Sequence, residues 1–362
     1  MSIKKSEKTN NGYRTVRIKG LEGVVEFRLE RYKEGGDYFS TSGQFSSCLE
    51  SVLLRDWIEC GILGKSYSAT SKDVAKLTGS VLYSGNQLCN KAKEYAKEAT
   101  LAEISRYNNL QLCIPFSESE IDLYDANSAE VHIFDDAIGV KRQKEKREKD
   151  YKKEQKTVQT DVIEVQNKAG GFEYITGGLG VKNWDIESAL VCWFSRNYGN
   201  TKLPLVAITD GAKSIRLRLW RIFGAQVVII LDWFHLDKKV RELLSMIAQN
   251  KPQKKEILAF ILPLLWKGKV QETLTYLREI KPRNADKHEE LLQYLSKHES
   301  EIINYHKRKR AGKTIGSGRA EKGGDLVVAQ RQKNKPIAWS EDGSHALAVL
   351  KAKALNNAKI AA

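Results

Sequence analysis

The chain has no C-x-x-C pair among its five cysteines, Cys48, Cys60, Cys89, Cys113 and Cys192. Scattered thiols exclude a zinc ribbon and a disulfide framework, and they are expected to be reduced and mostly buried in a cytoplasmic protein. Long apolar runs are missing too. None approaches ~18 residues, which excludes a helical membrane span. The start, MSIKKSEKTNNGYRT, lacks the apolar centre of a signal peptide. Acid is in deficit as well: 60 Lys and Arg face 45 Asp and Glu, a formal net charge of +15. That balance excludes an acidic scaffold and favours a polyanionic partner.

What is present falls into five stretches. Residues 1–45 hold a β-hairpin, because YRTVRIKGLEGVVEFRLERY alternates apolar and polar residues around Gly20 to Gly23. Residues 46–128 are helical. There SATSKDVAKLTG stops at Gly79, and a second helix runs from about Ser84 through QLCNKAKEYAKEA. Two short helices about a glycine turn are read equally well as a DNA-binding helix-turn-helix or as an αα-hairpin. Residues 129–236 read as α/β. EVHIFDDAIGV is a strand ending in acids, TDVIEVQNKAG and FEYITGG are two more, and WDIESALVCWFSRNYG is a helix. LPLVAITDGA and AQVVIILDWFHL are fully buried strands joined through the helix AKSIRLRLWRIFG, hence a parallel pair. Between the first two strands of this stretch, KRQKEKREKDYKKEQK (141–156) reads as a solvated link, a long arm or hairpin tip. Residues 237–312 show only helical periods, as an all-helical insertion with its own packing. Residues 313–362 return to the α/β domain with the glycine-rich TIGSGRAEKGGDLVV and the helix SHALAVLKAKAL.

Three acids stand out by position. Asp136, with Asp135 beside it, ends the first α/β strand, Asp210 ends a buried strand before Gly211, and Glu321 opens a late helix among Arg319 and Lys322. Ligand groups gather at strand ends in open α/β sheets. Carboxylates converging there suit the hard cations Mg²⁺ or Mn²⁺, and two such ions ~3.5–4 Å apart support in-line phosphoryl transfer. Alternation along the strand turns Asp135 away from Asp136, and Asp325, one turn beyond Glu321, is the nearest substitute for it. Each acid alone also has a bland reading, as a turn residue or a solvated helix start. The basic cluster Lys307, Arg308, Lys309, Arg310 and Lys313, with Arg319 and Lys322, is placed to contact phosphate. Asp232 and His235 are accessory: either they bond each other and pin the helical stretch to the sheet, or His235 contacts phosphate or orients a metal-bound water. Trp220, Trp233 and Trp339 are expected in the core. The remaining histidines show no ligand-like spacing.

The order AITDGA, LDWFH, a long helical stretch, then TIGSGRAE and IAWSEDGSHALAVL resembles bacterial insertion-sequence transposases of the DDE type. The likeness covers roughly residues 13 to 355. It implies a ribonuclease-H-like mixed sheet flanked by helices, and carries the catalytic and metal-binding roles onto Asp136, Asp210 and Glu321. It also implies two Mg²⁺ or Mn²⁺ ions, and strand cleavage and transfer on double-stranded DNA, namely terminal inverted repeats and target DNA. A homo-oligomer on DNA, associated with the nucleoid, follows from the same likeness. Alternatives are a non-catalytic DNA-binding relative and a nuclease of the same fold. Two departures are visible. Ala137 stands where the family usually has Gly after its first Asp, and Gly323-Gly324 interrupts the helix of Glu321. The chain also starts close to the hairpin, which leaves open an upstream DNA-binding segment.

Overall fold

The computed structural model describes residues 9–34, 37–40, 48–108, 110, 112, 121–144, 157–182, 184–224, 227–333 and 337–360. Most of the expected charged arm, from position 145 to 156, lies outside the described residues. The chain divides into two compact units between Ala96 and Lys97 rather than at positions 45 and 128.

In the first unit, β1 (Thr9–Gly20) and β2 (Gly23–Glu34) form the expected antiparallel hairpin. β3 (Asp37–Ser40) joins β2, and β4 (Cys48–Glu50) runs parallel to β1, so the sheet order is β3-β2-β1-β4. The helices α1 (Val52–Gly64) and α2 (Tyr67–Thr78) are capped by the Ser51 and Ser66 hydroxyls, each satisfying a free N–H of the first turn. α2 stops at Gly79 as expected. α3 spans Gly85–Tyr107 and is longer than its sequence pattern indicated, crossing the division between the units.

The second unit is built on a five-stranded mixed sheet. Its strands are β5 (Val131–Lys141), β6 (Thr157–Gln166), β7 (Phe172–Ile175), β8 (Leu205–Thr209) and β9 (Val228–Leu231), in the order β7-β6-β5-β8-β9. β5, β6 and β7 pair antiparallel, whereas β8 and β9 run parallel to β5. The acids on β5 are internal, since the strand continues to Lys141.

Side chains alternate across a strand, and each set has its own core. One face presents Ile133, Ile163, Leu205, Ala207 and Ile229 to α4 (Ile186–Asn197) and α5 (Lys213–Phe223). The other presents Phe134, Val206, Ile208 and Ile230 to a block of helices. These are α6 (Trp233–Ile247), α7 (Lys251–Trp266), α8 (Val270–Arg278), α9 (Ala285–Lys297) and, after a 3₁₀ turn at Glu299–Glu301, α10 (Tyr305–Arg310). Two expectations change here. β9 ends at Leu231, because Asp232 caps α6 and draws Trp233 to His235 into the helix. The helical block is not separately packed: Leu236, Val240, Leu244, Ile261, Leu291 and Leu295 share one core with the sheet face.

α11 (Gly318–Gly324), a π turn at Asp325–Ala329 and α12 (Gln330–Gln332) follow, then α13 (Glu341–Ile360). α11 and α13 both lie against β6. Trp339 is buried as expected and Trp233 packs against Trp266 and Tyr305, but Trp220 is 45% exposed. Of the cysteines, Cys192 is buried, Cys89 half-buried and Cys60 exposed, all as free thiols, so burial is less general than expected. No helix among the described residues is long and apolar enough to cross a membrane.

Candidate active site

The register of the parallel pair brings two of the three acids together. Phe134 of β5 is level with Ile208 of β8. Asp136 stands two residues further along β5, on the face of Phe134, and Asp210 directly follows Thr209, the last residue of β8. Asp135 falls on the opposite face, buried, where the Arg218 guanidinium donates to both its oxygens at 2.9 and 2.8 Å and to Asp161 at 2.8 Å. Burial pushes the Asp135 carboxyl up to about 7, against the pull of Arg218.

Glu321 comes from above the sheet. α11 lies directly on β5 and β6, and a Cβ on Gly324 would sit 2.5 Å from Ile138 Cδ1 and 3.9 Å from Asp136 Oδ2. The glycine pair that interrupts the helix therefore allows close approach to β5. The Glu321 side chain is 64% exposed, and its Oε1 lies 3.9 Å from His235 Nε2. Asp325 does not join it; it is exposed and accepts from Gln330 Nε2 at 3.2 Å.

Asp232 fixes this arrangement. Its Oδ1 accepts from the Phe234 and His235 N–H groups at 2.5 and 2.9 Å, capping α6. Its Oδ2 accepts from the Ser317 N–H and, at 2.6 Å, from the Ser317 hydroxyl. One buried carboxylate thus clamps the start of α6, with His235, to the start of α11, with Glu321. Burial would raise the Asp232 carboxyl, but the His235 and Ser317 contacts hold it down at about 2. His235 Nδ1 is 3.6 Å from Asp232 Oδ2, an ion-pair rather than a hydrogen-bond separation, and is buried without a hydrogen-bond partner. The Asp232 carboxylate, assisted by Asp210 and Glu321, raises the His235 pKa against the effect of burial. Gly316, read as a place for close phosphate approach, instead faces the Phe234 ring, 2.7 Å from where a Cβ would be.

Charge pairing divides the acids of this unit. Asp135 and Asp161 are paired with Arg218, Glu164 with Arg319, Glu130 with Arg308 and Lys313, and Glu301 with Arg216. No Lys or Arg pairs with Asp136, Asp210 or Glu321 among the described residues. Among the described residues, Asp136 Oδ1 accepts from the Ala137 N–H and Asp210 Oδ1 from the Ala212 N–H, each at 2.8 Å. Burial raises the Asp136 carboxyl, and the charges of Asp210 and Glu321 raise it further. Like charges near one another, offset here only by the His235 imidazole, are relieved by a cation, and oxygen-only donors suit Mg²⁺ or Mn²⁺. Among the described residues no three His, Cys, Asp or Glu side chains are already drawn into metal-binding geometry.

The expected phosphate-contacting cluster divides. Arg308 is 0% exposed, donating to Glu130 at 2.8 and 2.6 Å and to the Thr314 and Leu123 carbonyls. Lys313 donates to Glu130 and to the Asp122 carbonyl. Both are therefore structural cations, held by an acid that the sequence reading passed over. Lys307, Lys309, Arg310, Arg319 and Lys322 remain exposed, with Arg319 set over the Phe172 ring at 3.9 Å and bonded to Glu164 at 3.2 Å. Ser317 was also missed; a serine between two glycines carries no signal that its hydroxyl will be buried. Compared with models of known families and with curated proteins, the chain finds no match.

Proposed function

We propose that this chain is a DNA transposase of the DDE type, cutting and joining strands at the ends of its own element on a ribonuclease-H-like domain. The observation that carries this reading is the set of three acids, Asp136, Asp210 and Glu321, which pair with no Lys or Arg among the described residues of a chain of net charge +15, while Asp135, Glu130 and Glu164 are paired. These three side chains would hold two Mg²⁺ or Mn²⁺ ions. Bound there, the ions supply an activated nucleophile and stabilise the leaving oxygen in in-line phosphoryl transfer. The chain's own residues do the rest. Asp232 keeps the Glu321 helix in place through Ser317. His235, held toward its charged form, donates from Nε2 to a phosphate oxygen. The exposed Lys307, Lys309, Arg310, Arg319 and Lys322 contact backbone phosphates of the terminal repeats and target DNA. The resemblance to DDE transposases adds a homo-oligomer working on DNA at the nucleoid.

A second reading, a DNA-binding relative without catalysis, draws on the exposure of Glu321. The test is nicking and strand transfer on a duplex bearing the inverted repeats that flank the coding sequence. Wild-type protein should nick and join in Mg²⁺ and stop in EDTA. Asp210→Asn should abolish nicking while retaining DNA binding. Full activity in EDTA overturns the metal reading, binding without nicking favours the second, and nicking without joining leaves a nuclease.

A further inference from the structure

Opposite the acids, Asp210 is backed by a buried side-chain network that the proposed chemistry does not use. Gly211, directly after Asp210, has a φ of +84°, a left-handed conformation that favours glycine. A Cβ there would stand 2.8 Å from Leu231 Cδ1, 2.9 Å from His298 Cε1 and 3.2 Å from His298 Nε2. The His298 imidazole, 1% exposed, therefore rests on the Asp210–Gly211 turn.

Three groups fix that ring. Its Nδ1 is 2.5 Å from Glu301 Oε2, and Arg216 Nη2 lies 3.0 Å from the same nitrogen. Arg216 Nε lies 2.9 Å from Glu301 Oε1, an ion pair without hydrogen-bond alignment. A guanidinium has no acceptor and a carboxylate no donor, so the short contact assigns the proton to Nδ1, donating to Glu301. Arg216 then balances the carboxylate charge, and Nε2 is the ring nitrogen nearer the Gly211 turn. The Tyr294 ring packs against the imidazole with centroids 4.9 Å apart. The members come from both sides of the turn: Arg216 from the first turns of α5, which starts two residues after Gly211, and His298 and Glu301 from the end of the helical block.

We propose that Arg216, His298 and Glu301 are positioning residues for Asp210: the network sets the turn on which its carboxylate is carried and so tunes metal affinity. The inference rests on the metal-holding role assigned to Asp210. Groups that orient a ligand from behind typically change metal affinity by about 10–100-fold when removed.

The test measures Mn²⁺ binding alone, without DNA, by the loss of the free-ion electron paramagnetic resonance signal in the full-length chain. His298→Ala should weaken Mn²⁺ binding by about tenfold or more, with far-ultraviolet circular dichroism unchanged. His298→Gln, which can still donate an amide N–H to Glu301, should recover most of the affinity. Glu301→Gln keeps the shape but removes the charge, and should weaken binding as well; it decides the matter if His298→Ala fails to fold. Unchanged Mn²⁺ affinity in the folded variants, alongside a loss in Asp210→Asn, overturns the positioning role and leaves the transposase reading standing. Unchanged affinity in Asp210→Asn itself overturns that reading and this inference together. If His298→Gln binds no better than His298→Ala, the hydrogen-bonded network is not the device.

Discussion

Asp232 shows how much one carboxylate can organise when every acceptor position is met. It is 2% exposed and takes bonds from two backbone N–H groups of α6 and from the N–H and hydroxyl of Ser317. Its pKa falls from 3.8 to about 2, since the His235 side chain and those contacts outweigh burial. A carboxyl depressed by folding stabilises the native state above its unfolded pKa, and that contribution fades as pH falls through the folded value. Asp232→Asn should therefore be less stable than wild type near neutral pH, by about 1–3 kcal/mol for weakened bonds to a charged acceptor. The gap should narrow between pH 3.8 and about 2, the interval set by the two pKa values. Urea denaturation of both proteins at pH 7, 4 and 2.5 measures it. A gap that stays constant would show that the carboxylate charge contributes nothing through the clamp.

At the scale of elements, α11 is a short helix made possible by missing side chains. Gly324 lies against Ile138 of β5, so a β-branched residue there would have to lift the helix or displace the isoleucine. Gly324→Val should destabilise the fold by about 1–3 kcal/mol and lower nicking more than DNA binding, because Glu321 rides on the displaced helix. Denaturation and nicking assays on one preparation separate the two effects. This element also shows where sequence reading succeeds and where it stops. The opposite faces of Asp135 and Asp136 were legible, because strand alternation is strict. The buried runs of β8 and β9 were legible for the same local reason. The fate of Arg308 was not: it lies within the cationic string HKRKR, and nothing local shows that Glu130, far away in sequence, will bury it. The end of β9 was also misplaced, because LDWFH keeps its apolar character while the cap at Asp232 changes the geometry.

For the whole molecule, the formal charge of +15 divides into cations that hold the fold and cations left for a partner. Glu130 belongs to the first group. Burial alone would raise its carboxyl, but His132, Arg308 and Lys313 hold it well below the usual carboxylate range. Removing one partner from such a buried pair leaves the other uncompensated. Arg308→Gln should therefore cost about 3–5 kcal/mol, read as a drop in denaturation midpoint. Replacing exposed Lys307, Lys309 and Arg310 with Gln should change stability by no more than about 0.5 kcal/mol. The same triple replacement should flatten the dependence of DNA affinity on salt, where each neutralised phosphate contributes a slope of about −0.9. An unchanged slope would make this cluster a merely solvated helix end.

The shared core beneath the helical block has a consequence for the time at which the proposed enzyme becomes dangerous. Asp136 and Asp210 leave the ribosome early, but about 110 further residues must follow before Glu321, a delay of roughly 5–20 s at ordinary elongation rates. During that interval Phe134, Val206, Ile208 and Ile230 await the helices that cover them. The last acid is then set in place by Asp232 and Ser317, one on each side of that helical block. On the proposed reading, a chain that has reached only Asp210 lacks both Glu321 and the cations assigned to DNA, Lys307, Lys309, Arg310, Arg319 and Lys322, so it has neither the grip nor the means to cut.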